Sequence, residues 1–278
     1  MLCKRQRDCS ACCDRDVTGK KRNMKNLLTD IPGVRVGHAH DETVASGVTA
    51  VIFDKAAVAS ADVRGGGPGI RDGALLEPVN TVERIDAIAL SGGSAFGLEA
   101  GGGVQAWLAE QGRGFAVADA LIPIVPGAVQ FDMLNGGNKK WGKFPPYRDL
   151  GYAAATAATD GEFELGTVGA GFGATTVNFK GGLGSASAVL SNGVRVAAIA
   201  SVNAVGSVTV GDGPWFWAAP FEQNSEFGGR GLPPSFTPDM LAMRLKGGPA
   251  ASSIENTTLA IVVTDAILTK AQVQRLAI

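Results

Sequence analysis

The sequence predicts a mixed α/β protein in which strands outnumber helices, and three observations carry that expectation. Short apolar runs of alternating or β-branched character recur along the chain, beginning with VRVGHAH (34–40) and TAVIFD (49–54). Glycine occupies 39 of 278 positions, roughly twice its usual share of about 7%. The glycines follow no collagen period and apolar stretches separate them, which points to tight turns and close-packed backbones rather than disorder. Finally, IDAIALSGGSAFGLEAGGGVQAWLAEQG (85–112) reads as a short strand, a glycine turn and a helix. A chain of this length that is 45% hydrophobic can bury a sizeable core.

The elements follow in order. Pro32-Gly33 makes a turn before the first strand, and AVASADV (57–63) is a plausible third strand after TAVIFD. RGGGPGIRD (64–72) is a glycine loop flanked by Arg64 and Arg71. In the helix after Ser94, Gly101-Gly102-Gly103 costs about 1 kcal/mol per residue relative to alanine, so another element must pack closely there. LIPIVPGAVQFDML (121–134) carries Pro123 and Pro126 and reads as irregular or edge-like. A polar, aromatic-bearing loop (138–149) precedes a small-residue helix at 150–159, and KGGLGSASAVL (180–190) leads into a strand. VRVAAIASVNAVGSVTV (194–210) reads as two strands split at Asn203-Ala204. Residues 211–235 form a long surface loop with loosely spaced aromatics, and MLAMRL (240–245) a brief helix or contact strip. LAIVVTDA (259–266) is a strand and 268–278 begins a helix capped by Thr269. No internal repeat is visible.

Residues 1–26 differ from the remainder. They carry a net charge of +5, leaving −6 for residues 27–278, and they hold all four cysteines, Cys3, Cys9, Cys12 and Cys13. This segment reads as a disordered basic leader or a start assigned too early, with the true beginning near Met24. The cysteine-free body argues against a disulfide-stapled fold, and no apolar segment after the basic start suggests secretion. A cytoplasmic location is therefore expected. The acidic body makes nucleic acid a poor partner, and no run approaches the 18 apolar residues of a membrane span.

Several motifs invite chemistry and most have a plainer reading. His38 and His40, the only histidines, share one face of a strand, but nothing beside them completes a metal site, and they read as structural or surface residues. No metal or cofactor is expected. So few histidines make a Ser-His-Asp mechanism through Ser91 or Ser94 hard to assemble. Neither SGGSAFG nor RGGGPG carries the Gly-Lys-Ser/Thr ending of a phosphate loop. ENTTLAIVV (255–263) leaves two readings open: a polar mouth to an apolar strand, or a bond between Asn256 and Thr257 that the protein cuts in itself. A threonine freed in that way needs no histidine, because its own α-amine, with a pKa of about 7.7–8.0, can take the hydroxyl proton.

Taken together, LTDIPGVRVGHAHD (28–41), DVRGGGPGIRD (62–72), ALSGGSAFGLEAGGGV (89–104), PIVPGAVQFDMLNGGNKKWG (123–142), GAGFGATT (169–176), KGGLGSAS (180–187), VNAVGSV (202–208) and ENTTLAIVVTDA (255–266) resemble the successive blocks of the DmpA-type aminopeptidases. That group, the P1 or S58 peptidases, includes the β-peptidyl aminopeptidases and is similar to the nylon-oligomer hydrolases. The resemblance runs from about residue 27 to 278.

The resemblance implies a four-layer αββα sandwich of the N-terminal-nucleophile type, made as one precursor that cuts itself into α and β fragments that stay together. It implies a single catalytic domain over 27–278, with the α-fragment ending at Asn256 and the β-fragment starting at Thr257. Thr257 is then the nucleophile of self-cleavage and of hydrolysis, and Asn203 orients it or stabilises the oxyanion. Lys180, Asn178, Phe131 and Thr258 are the supporting candidates. Phe131 stands where relatives often carry tyrosine, and Asn178 where several carry lysine. Asp72 and Glu99, acidic residues beside glycine loops, are candidates for gripping a substrate ammonium, with a solvated charge or a helix cap as the plainer alternative. The implied partners are a small peptide, amide or ester substrate and further copies of the chain in a homo-oligomer. Family β-fragments usually run many tens of residues past the nucleophile, whereas this chain stops 21 residues after Thr257. The β-fragment is therefore expected to be incomplete, and an inactive structural or assembly protein is the alternative function.

Overall fold

The computed structural model describes residues 24–246 and 256–278, so all but the last three residues of the expected leader lie outside the described residues. The body begins with an antiparallel pair, β1 (Val34–Asp41) and β2 (Ser46–Val58). Residues 46–53 of β2 are buried without a break, as expected of a strand covered on both faces. The third strand expected at 57–63 does not exist as a separate element. Ala57 and Val58 instead continue β2 beyond an irregularity after Ile52, and residues 59–63 are irregular.

A two-residue strand, β3 (Ile70–Arg71), follows the glycine loop, and then comes β4 (Arg84–Ser91). The predicted strand, turn and helix hold, with a 3-10 turn at Ser94–Glu99 leading into α1 (Ala100–Glu110). A small hairpin, β5 (Phe115–Val117) and β6 (Ala120–Ile122), precedes β7 (Gly127–Val129). The short regular strand β7 sits in the segment expected to be irregular, running parallel to β4. The Val129 N–H of β7 donates to the Gly69 carbonyl, and the Gln130 N–H just past the strand donates to that of Ser91. The five strands order as β1-β2-β4-β7-β3.

Helix α2 (Tyr147–Thr156) packs on the same sheet face as α1. A Cβ at Gly103 would lie 1.9 Å from the Arg148 carbonyl oxygen, and one at Gly151 would lie 2.1 Å from that of Ala100. The glycines of the two helices therefore face each other's backbone, and this close approach is what the mid-helix glycines make possible.

The second sheet is antiparallel throughout: β8 (Gly182–Val189), β9 (Arg195–Asn203) and, after the short helix α3 (Pro238–Leu241), β10 (Thr257–Thr264). The second strand expected after Asn203 is absent. The chain turns there, and among the described residues the β-pairing of 204–210 is limited to an isolated bridge between Thr209 and Phe216. The chain ends in α4 (Lys270–Ala277), whose Thr269 cap accepts from the Gln272 N–H as the sequence suggested.

The two sheets pack face to face. Val36, Val51, Phe53, Ile85 and Leu90 of the larger sheet meet Leu183, Ala197, Ile199 and Ile261 of the smaller. On its other face the larger sheet buries Val48, Ala50, Ile52 and Ala89 against Val104, Leu108 and Ala154 of the helices. This gives helix, sheet and sheet layers, three of the four in the expected sandwich. Among the described residues the outer face of the smaller sheet is open, with Ala186, Ala188, Ala260 and Val262 exposed.

Segment 130–135, leaving β7, ties the sheets together. Gln130 is fully buried; its Nε2 donates to the Ala170 carbonyl at 2.6 Å and its Oε1 accepts from Ser201 Oγ of β9 at 2.7 Å. A buried amide satisfied from both sides fixes relative placement as well as adding stability.

Candidate active site

Strands β9 and β10 alternate between an inner face toward the larger sheet and an outer face toward solvent. In β9, Ala197, Ile199, Ser201 and Asn203 are buried, while their neighbours are half-exposed. The pairing places Thr257 opposite Asn203, Leu259 opposite Ser201 and Ile261 opposite Ile199. Directly opposed residues point to the same side, about 5 Å apart between Cβ atoms. Thr257 therefore shares the inner face with Asn203. Thr258 pairs with Val202 and is exposed on the outer face. A one-residue slip would exchange them, and buried Ile261 on the same strand opposes that slip.

Asn203 has no solvent exposure. Its Oδ1 accepts from the Thr175 N–H at 3.0 Å and from Lys246 Nζ at 3.0 Å, while its Nδ2 donates to the Phe131 carbonyl at 2.6 Å. Two donors on one end and an acceptor at the other fix which way the amide points. The second Nδ2 hydrogen is left over from this set, on the residue facing Thr257.

Beneath lies a second polar cluster. Asp132, 3% exposed, accepts from Ser46 Oγ at 2.6 Å and from the Gly93 N–H at 2.7 Å, and Tyr147 OH donates to Ser46 Oγ at 3.1 Å. Burial pushes the Asp132 carboxyl above the usual range, offset in part by these two donors. A Cβ at Gly92 or Gly173 would fall 2.0 or 2.2 Å from Asp132 Oδ2, so the SGGS and GFGATT glycines are needed for the carboxylate to fit. Asn135 Nδ2 adds bonds to the Ala45 and Gly173 carbonyls at 2.6 and 3.0 Å. The VQFDMLN block thus serves as a keystone under the Asn203–Thr257 pair.

The other candidates fall into place differently. Phe131 meets Asn203 through its backbone carbonyl, a contact that does not depend on whether the ring bears a hydroxyl. Asn178 bonds Thr209 Oγ1 at 3.2 Å and Ser207 Oγ at 3.1 Å and so holds the loop after β9. Lys180 is exposed, bridging to Thr175 only through the backbone. Asp72 adopts a left-handed conformation (φ 54°) and lies 3.4 Å from Arg71 Nε. Because β3 runs antiparallel to β7, Asp72 sits beyond Gly127, at the end of that pair away from Phe131. Glu99 is exposed at the end of the 3-10 turn. Among the described residues neither acid is a hydrogen-bond partner of Asn203.

His38 is largely buried, its Nδ1 3.0 Å from Thr49 Oγ1, and burial lowers its pKa to about 4. His40 stacks on Phe172 with ring centroids 4.3 Å apart. Among the described residues no group of three or more His, Cys, Asp and Glu comes together to hold a metal, and no helix is long and apolar enough to cross a membrane. A cleft of about 420 Å³ lined by Ala56, Glu83, Arg84 and Phe115 lies at the N-terminal end of β4, whereas Gln130 and Phe131 follow Ser91 at its other end.

Sequence reasoning missed Thr175, Lys246, Gln130 and Asp132. The last two lie inside a quoted block, where a Gln and an Asp two residues apart in an apolar setting were a usable signal. Thr175 contributes only its backbone, and Lys246 lies in a loop with no spacing to mark it.

The sequence profile of peptidase family S58 matches residues 26–278. An uncharacterised aminopeptidase of Mycobacterium tuberculosis is 41% identical over 261 residues, covering 91% of this chain and 74% of the relative. A 6-aminohexanoate-oligomer endohydrolase of Kocuria sp. is 35% identical over 159 residues, covering 56% of this chain and 40% of the enzyme. Among solved structures, a Burkholderia sp. β-aminopeptidase superposes with a TM-score of 0.60 at 22% identity, over 91% of this chain and 65% of that one. The L-aminopeptidase D-Ala-esterase/amidase of Ochrobactrum anthropi, described as a variant of the Ntn-hydrolase fold, gives 0.61 at 20% identity, over 91% and 66%. This chain thus spans about two thirds of the length of those structures, and it shares their fold. With the profile matched over almost the whole body, the chain belongs to peptidase family S58.

Proposed function

We propose that this chain is a self-processing amidohydrolase of the N-terminal-nucleophile type, releasing N-terminal residues from short peptides, amides or esters through an acyl-enzyme on Thr257. The observation that carries the reading is the pairing of Thr257, first residue of β10, with the buried and orientation-locked Asn203. In self-cleavage Thr257 Oγ attacks the Asn256 carbonyl carbon. The C–Oγ bond forms, the C–N bond breaks, and the hydroxyl proton ends on the departing nitrogen. Water then cleaves the ester, leaving a carboxylate on Asn256 and a free amine and hydroxyl on Thr257.

In turnover the same hydroxyl attacks the substrate carbonyl, the α-amine accepts its proton and returns it to the leaving amine, and water releases the acid. The spare Asn203 Nδ2 hydrogen is the donor available to the developing oxyanion; loss of one such donor typically costs about 10²–10³ in rate. The named activities of the relatives, aminopeptidase and oligoamide hydrolase, support this substrate class. Exposed Phe115, Val117, Leu121 and Ile122 on the β5–β6 hairpin suit a homo-oligomer, and the cysteine-free body suits the cytoplasm.

Thr257→Ala should abolish both chain splitting and hydrolysis of amino-acid p-nitroanilides, while Thr258→Ala, altering the outer face, retains most of both. Hydrolysis should rise with pH as the amine loses its proton, near pH 7–8. Hydrolysis that survives Thr257→Ala would overturn the mechanism.

A further inference from the structure

Lys246 enters the site from a direction the catalytic reading does not use. It lies in the segment ahead of the bond between Asn256 and Thr257, with residues 247–256 between it and the nucleophile. Its own N–H donates to the Val205 carbonyl at 2.9 Å, two residues past Asn203. Arg244, two residues earlier, bonds the Gly211 carbonyl at 3.2 Å and pairs with Asp212. The stretch 244–246 is thereby pinned along the chain leaving β9, and this pinning delivers Lys246 Nζ to Asn203 Oδ1 at 3.0 Å.

A carboxamide's oxygen and nitrogen ends are nearly the same size, so packing alone does not choose between its two orientations. Its partners do. Turning Asn203 over would set its NH₂ against an ammonium and the Thr175 N–H, and its oxygen against the Phe131 carbonyl. The charged donor contributes most to this preference, because charge-assisted hydrogen bonds are roughly twice as strong as neutral ones.

Resting on the Thr257 reading above, we propose that Lys246 is a positioning residue for self-cleavage: from the segment that precedes the scissile bond, it locks Asn203 with its NH₂ on the Phe131 carbonyl, which keeps the second NH₂ hydrogen free for the site that Thr257 faces. Lys246 touches Asn203 and acts through it. Lys246 lies in the precursor's own segment ahead of the scissile bond, so the precursor carries part of the machinery that cuts it. Lys180, the cation suggested by sequence, is exposed and meets this region only through its backbone.

The test follows splitting of freshly made full chain by denaturing electrophoresis for wild type, Lys246→Met, Lys246→Arg, Asn203→Ala and the Asn203→Ala/Lys246→Met double variant. Lys246→Met should split about tenfold more slowly, within the range of coupling between contacting residues. Lys246→Arg, which keeps the charged donor, should recover most of the rate. The double variant should be no slower than Asn203→Ala alone. If Lys246→Met misfolds, Lys246→Gln against Lys246→Arg makes the same comparison, and Gln should be the slower. Equal rates for wild type and Lys246→Met, equal losses for Met and Arg, or multiplying losses in the double variant would each overturn the proposal while leaving the Thr257 reading intact. A wild-type chain that never splits removes that reading, and the proposal with it.

Discussion

The larger sheet is covered on both faces, by α1 and α2 outside and by the smaller sheet inside, whereas among the described residues the smaller sheet is covered on one. Their sequences differ accordingly. β2 reads as an unbroken buried run over 46–53, while β9 and β10 alternate. An unbroken run makes a rigid platform but offers no preferred side on which to place a reactive group. An alternating strand sorts its residues, and the sorting puts Thr257 with Asn203 on the inside and Thr258 on the outside. The Asn203–Thr257 pair thus rests on a platform from one sheet and takes its facing from the other.

The contrast breaks most visibly at paired substitutions on the smaller sheet. Ile199→Ala, at a fully buried position between the sheets, should cost about 2–5 kcal/mol in denaturant unfolding. Val262→Ala on the open face, where the side chain is 62% exposed, should stay within about 0.5 kcal/mol. Similar losses at the two positions would mean that the outer face is covered as well.

A pH titration sharpens the same contrast from the side of the platform. His38 lies on the inner face of β1, in line with Val34 and Val36, and burial lowers its pKa from 6.5 to about 4. A depressed histidine is held neutral by folding, so its contribution is fully present above pH 6.5 and is lost as pH falls toward 4. The total is about 3 kcal/mol. His38→Gln should flatten that part of the stability profile, and an unchanged slope would place the group elsewhere. Smaller still is the joint between the sheets: Ser201→Ala removes the donor to Gln130 Oε1 and should cost about 1–3 kcal/mol.

Much of the fold was legible because periodicity reports coverage. The first strands, the strand–turn–helix unit at 85–112, the final strand and the Thr269 cap all follow from it. The third strand failed because AVASADV has strand-forming residues but no partner once β2 has bent past Ile52. The second strand after Asn203 failed for a similar reason: VGSVTV has the composition, yet the chain turns away from the sheet. β7 was hidden by prolines that lie just before it.

The proposed roles of Thr257 and Asn203 rest on the family resemblance, since Asn-Thr pairs are common, and the structure adds their pairing across β9 and β10. Asp72 and Glu99 stand out in the sequence as acids beside glycines; the fold places Asp72 at the far end of β3 from Phe131 and Glu99 exposed in the 3-10 turn. Lys246 reaches Asn203 across 43 residues of sequence, a contact that tertiary structure alone creates.

The central question is whether the backbone opens ahead of Thr257. Denaturing mass measurement of the purified full chain, with N-terminal sequencing, decides it. The expected result is two fragments, one of them beginning at Thr257. A folded chain that stays intact on storage yet still hydrolyses amides would contradict it.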